Sequence, residues 1–108
     1  MGIKKMFFDA NIFNDIFDDK RATQQSSKEA LRYAIENEIA EIISFAKDEL
    51  SLAIALMRND SDYTDMEDTI QYILAKKIAC DLIVTNDKRF MAKEIDCVKS
   101  ENFMELME

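Results

Sequence analysis

The chain contains no histidine and no proline, and its one glycine is Gly2. Without histidine there is no Ser-His-Asp or Cys-His nucleophile, no imidazole base and no His-ligated zinc. Without proline, and with glycine confined to the second position, turns must rely on Asn, Asp and Ser, as in Asn59-Asp60-Ser61-Asp62. Cysteine occurs twice, at Cys80 and Cys97, far apart and outside any CxxC spacing. Two thiols are too few for a metal-thiolate site, so both read as buried reduced thiols of a cytosolic protein. No run approaches the roughly 20 apolar residues of a membrane span, and no signal-peptide pattern opens the sequence. The expectation is a cytoplasmic protein with no membrane partner. Positive charge is also scarce, with 14 Lys and Arg against 22 Asp and Glu and a formal charge of −8. That argues against a broad basic surface that coats nucleic acid. It leaves room for a nuclease whose metal ions supply positive charge locally.

What the chain has in quantity is carboxylate and apolar side chain. A hydrophobic content of 48% over 108 residues suits one domain, residues 1–108, with a single modest core. Residues 4–8 read as a short buried strand, a brief apolar run closed by Asp9. Ile12, Phe13, Ile16 and Phe17 follow at helical spacing, and residues 18–25 read as a polar loop. Ser26 with Glu29 makes a capping box. Behind it Leu31, Ala34, Ile35, Ile39, Ile42, Ile43 and Ala46 predict one long amphipathic helix. Residues 50–57 are ambiguous between helix and strand, and Ala and Leu favour helix. Thr64 with Glu67 makes a second capping box, before a helix whose apolar face carries Ile70, Ile73, Leu74 and Ile78. Residues 81–85 form the clearest strand, residues 87–90 a turn or short helix, and residues 95–98 a last strand. A terminal helical segment over residues 101–108 completes the order β-α-α-α-β-(α)-β-α, compatible with a parallel α/β sandwich.

Three aspartates stand where strands end or helices begin. Asp9 closes Met6-Phe7-Phe8, Asp68 lies in the first turn of the helix after Thr64, and Asp87 follows Leu82-Ile83-Val84. In open α/β sheets chemistry collects outside the carboxyl ends of the strands. Carboxylates gathered there repel one another, and a hard divalent cation such as Mg²⁺ or Mn²⁺ is the ordinary remedy. Each alone has a plainer explanation: Asp65 and Asp68 as N-terminal helix acids, Asp87 as a turn residue. Asp9 is harder to explain so, because a carboxylate beside Phe7, Phe8, Ile12 and Phe13 needs hydrogen bonds or a metal. Asn11 could donate to Asp9 or to a phosphate, or could cap the short helix. If Asp9, Asp68 and Asp87 converge, the set can hold Mg²⁺ but offers no protein nucleophile, and attack of metal-activated water on a phosphodiester is its natural use.

These segments resemble a known family. Phe7-Phe8-Asp9-Ala10-Asn11-Ile12-Phe13 is similar to the opening strand of PIN domains, and Asp65-Met66-Glu67-Asp68-Thr69-Ile70-Gln71 to their acidic helix start. Leu82-Ile83-Val84-Thr85-Asn86-Asp87-Lys88-Arg89-Phe90 resembles their "IVTxDxxF" segment, the most specific of the three. The resemblance implies a Rossmann-like α/β sandwich with a small parallel sheet and a Mg²⁺- or Mn²⁺-dependent ribonuclease site. It further implies a VapC-type toxin acting on RNA, held inactive by a cognate antitoxin and commonly homodimeric. By position, Asp9, Asp68 and Asp87 would be the catalytic metal ligands, with Asn11 and Asp65 in support. The middle departs from the pattern. Family members usually carry a second strand and a further helix before the acidic helix start, with an acidic ligand near that helix's beginning. Here there is too little sequence for both, so the fold is expected to lack one strand and one helix. Glu49 is then the nearest substitute ligand and Asp48 the next. The shortened stretch predicts an exposed sheet edge or apolar face, and self-association around residues 43–57.

The alternative is a catalytically degenerate PIN fold serving as an antitoxin-binding or dimerisation module. A phosphoryl-transfer domain fits less well, because Asp9-Ala10-Asn11 lacks the DxD of dehalogenases and Phe8-Asp9 lacks the acidic pair of response regulators.

Overall fold

The computed structural model describes residues 5–10, 12, 16, 24–37 and 47–107. Three short strands, β1 (Met6–Phe8), β2 (Leu82–Val84) and β3 (Asp96–Val98), form a parallel sheet in the order β1-β2-β3. Met6 faces Leu82 and Phe8 faces Val84 across the first pair, while Val84 faces Val98 across the second. Successive side chains of a strand point to opposite faces, and this sheet sorts its core accordingly. Met6, Phe8, Leu82, Val84 and Val98 belong to one apolar cluster with Ala30, Ala34 and Phe103. Phe7 and Ile83 belong to the other, with Tyr63, Tyr72, Ala75 and Phe90. Helices α1 (Gln24–Glu36) and α4 (Ser100–Met107) therefore cover one face. Helices α2 (Lys47–Asn59) and α3 (Met66–Lys77) cover the other. Ile83, Val84 and Phe103 are fully buried, and each such side chain stabilises the fold by about 1.5–3 kcal/mol relative to exposure.

The α/β class, the parallel sheet and each of the three strands agree with the sequence reading. Residues 50–57, ambiguous in sequence, lie within helix α2. Of the short helix after Asp9, Ile12 and Ile16 are helical, while Phe13 and Phe17 fall outside the described residues. Both capping boxes need correction. Helix α1 begins at Gln24, so Ser26 is inside it, and its hydroxyl meets Ser100 Oγ at 2.7 Å instead of capping. Helix α3 is capped by Asp65, whose carboxylate accepts from the Asp68 N–H at 2.9 Å, and Thr64 lies outside it. The expected face of the long helix is also rotated. Its buried positions are Ser27, Ala30 and Ala34, while Ile35 is 61% exposed. The helix ends at Glu36, and the rest of the predicted stretch, residues 38–46, lies outside the described residues. Cys97 is exposed on β3 rather than buried, while Cys80 is buried, and neither is in a disulfide.

The scarcity of glycine leaves a mark at the end of α3. Cys80 N–H bonds to Ala75 O and Ala79 N–H to Lys76 O, the crossed pair of a Schellman cap. That cap requires a left-handed residue, commonly glycine, and here Ala79 takes it at φ 56°. The strain is held by packing, since Ala75 and Cys80 both sit in the core beneath.

Candidate active site

Asp9 emerges from β1 where the parallel register carries it beside the end of β2. Its N–H donates to Val84 O at 2.9 Å, continuing the ladder one residue beyond the strand. The side chain is completely buried. Two donors reach it from different elements: Thr85 Oγ1 donates to Oδ2 at 2.7 Å and Gln71 Nε2 to Oδ1 at 3.1 Å. A buried carboxylate is tolerable only when so satisfied. Gln71 also accepts the Ala10 N–H on its own Oε1 at 2.8 Å.

Asp87 is tied to the same centre through Thr85, whose Oγ1 accepts the Asp87 N–H at 3.1 Å while donating to Asp9. The Asp87 carboxylate closes a local turn by accepting from Arg89 N–H at 2.9 Å. The Arg89 guanidinium lies 3.6 Å away but is 92% exposed, so its pairing with Asp87 contributes little. Asn86, between them, anchors the loop from the other side. Its Oδ1 accepts from Ser100 N–H and Ser100 Oγ, and its Nδ2 donates to the buried Ser27 hydroxyl.

Asp68 shows that the acids share one electrostatic neighbourhood. Burial pushes its carboxyl up to about 7, aided by the negative charges of Asp65, Asp9, Asp87 and Glu67. Asp9 and Asp87 thus both act on Asp68, although three separate elements supply the acids. Among the described residues no group of three or more acids or thiols is already disposed to hold a metal ion. The donor set still suits a hard cation. It is all oxygen, its repulsion is unrelieved at Asp68, and Mg²⁺ characteristically keeps several waters while using one or two carboxylates.

The other sequence candidates are placed differently. Asp65 stands next to Asp68 as a helix cap, where it raises the Asp68 carboxyl. Asn11 lies outside the described residues. Glu49 does not join the site: it is buried in the first turn of α2 and ion-paired with Lys77. Lys77 is in the last turn of α3, nine residues from Asp68, or about 13 Å along a helix. Asp48 shares that remote turn. Sequence reading missed Gln71 and Thr85 as partners of Asp9. Thr85 was visible two residues before Asp87, and Gln71 three after Asp68, the spacing of one helix face.

No protein-family model matches the chain, and no solved structure does either. A curated relative, Ribonuclease VapC1 of Aquifex aeolicus (strain VF5), is 34% identical, with 97% of this chain and 96% of the relative covered. This chain belongs to the VapC-like PIN-domain toxin family. The alignment with that relative runs over 139 residues, more than the 108 of this chain. The relative therefore has internal residues without a counterpart in this VapC-like chain, in keeping with the shortening expected from its sequence.

Proposed function

We propose that this VapC-like chain is a Mg²⁺- or Mn²⁺-dependent endoribonuclease of a toxin–antitoxin system, working in the cytoplasm against RNA and restrained by a cognate antitoxin. The observation that carries the reading is the buried Asp9, braced from two elements and acting with Asp87 on the carboxyl of Asp68, in a chain of this family. Asp9, Asp68 and Asp87 would hold the cation. The chemistry such a cation supplies is polarisation of the phosphodiester and activation of water for attack on phosphorus. The chain's own residues do the rest. Thr85 and Gln71 keep the Asp9 carboxylate oriented, and Thr85 couples it to the Asp87 backbone. Asp68, pushed up to about 7, is part-protonated near neutrality. Asp68 would give up that proton on binding a cation, because a carboxylate ligates in its ionised form.

The test is cleavage of a mixed RNA substrate with Mn²⁺ or with chelator. Cleavage that needs the metal and disappears in Asp9→Asn supports the reading; an Asp9→Asn variant as active as the parent overturns it. A second reading, a catalytically silent PIN fold that binds an antitoxin or dimerises, is favoured by the diversion of Glu49 to Lys77. Absence of cleavage by the wild type together with absence of Mn²⁺ binding would select it.

A further inference from the structure

We propose that Gln71 is a positioning residue for the acidic site, holding the Asp9 carboxylate and the Ala10 backbone in one two-point clamp. This rests on the metal-dependent reading above. The clamp uses both ends of one amide: Oε1 accepts the Ala10 N–H at 2.8 Å and Nε2 donates to Asp9 Oδ1 at 3.1 Å. Both bonds span more than sixty residues of sequence, joining α3 to the end of β1. Gln71 is itself buried and lies one turn after Asp68 on the same helix. The arrangement fixes the amide orientation, because the Ala10 N–H can only donate and the Asp9 carboxylate accepts. With Thr85 Oγ1 on Oδ2, each Asp9 oxygen has at least one protein donor. Held at both oxygens, the Asp9 carboxylate is limited in its rotation.

Such outer partners of a metal-binding carboxylate are typically worth about 10–100-fold in affinity. Gln71→Met keeps the length and removes both bonds. Calorimetric Mn²⁺ titration should show affinity about tenfold or more weaker than wild type, at a temperature where both are folded. Gln24→Met serves as control, since Gln24 Nε2 bonds to Ile16 O, outside the acidic site. A purely structural glutamine should lower the melting temperature without changing Mn²⁺ affinity. Wild-type affinity in folded Gln71→Met would overturn the clamp alone, whereas no Mn²⁺ binding by the wild type would overturn the metal site and this role with it. A wild-type measurement covers the case of a variant that fails to fold. On Mg²⁺ titration followed by NMR, the Gln71 side-chain NH₂ signal should shift at saturation, while those of Gln24 and Gln25 stay in place. Saturation without that shift would also overturn the clamp.

Discussion

Asp68 is the residue at which the cost of gathering acids is concentrated. Its folded carboxyl is pushed up to about 7, first by burial and then by Asp65, Asp9, Asp87 and Glu67. In the unfolded chain it ionises in the ordinary carboxylate range, near 4. Between these values the folded state binds more protons than the unfolded state, so this group's contribution to stability falls as pH rises through the window. Asp68→Asn should therefore raise the melting temperature of the metal-free protein by a few degrees at pH 8 and leave it nearly unchanged at pH 4. Melting scans in chelator check this, and an equal effect at both pH values would contradict it. At this scale the three candidate aspartates stood out in the sequence. Each aspartate announced itself by following an apolar run or by lying near a helix start. The partners of Asp9 were less visible, because Gln71 and Thr85 meet it only across the assembled sheet and helix. Glu49 misled for the converse reason: a carboxylate in a helix's first turn looks alike in sequence whether it faces a cation or, as here, Lys77.

Among the elements, the C-terminus of α3 carries a defect that a single substitution can repair. Ala79 holds the left-handed position of a complete Schellman cap, which an L-residue with a Cβ occupies at a cost of about 1–2 kcal/mol. Part of that gain is offset by the greater freedom glycine has when unfolded. Ala79→Gly should stabilise the protein by about 0.5–1 kcal/mol, a rise in Tm of roughly 2–8 °C for a domain of this size. A fall in Tm would show that the side chain contributes packing that outweighs the strain. The strands were readable because their apolar runs are short and bounded by charge, and the α2 segment because Ala and Leu favour helix. Helix starts were misplaced by one to three residues. Ser, Thr and Asp all make acceptable caps, and the choice among them falls to tertiary contacts: Ser26 is drawn to Ser100, while Asp65 takes the cap that Thr64 was expected to supply.

For the whole molecule, the shortened middle and the acidic surface shape the predicted behaviour. Leu50 and Leu52 on α2 are exposed, Leu52 at 56%, within the stretch where self-association was expected. We propose that they contribute to a homodimer contact; sedimentation equilibrium should then show association that Leu52→Lys weakens, and a monomer at high concentration would contradict it. Among the described residues no helix is long and apolar enough to cross a membrane. The net charge of −8 leaves RNA affinity dependent on local positive charge, which the cation proposed at Asp9, Asp68 and Asp87 would supply. Calorimetric titration of Mn²⁺ into the wild type and Asp9→Asn tests that metal site most directly. Binding by the wild type is expected, with its loss in a variant that still melts cooperatively. Equal binding by both proteins, or none by the folded wild type, would contradict it.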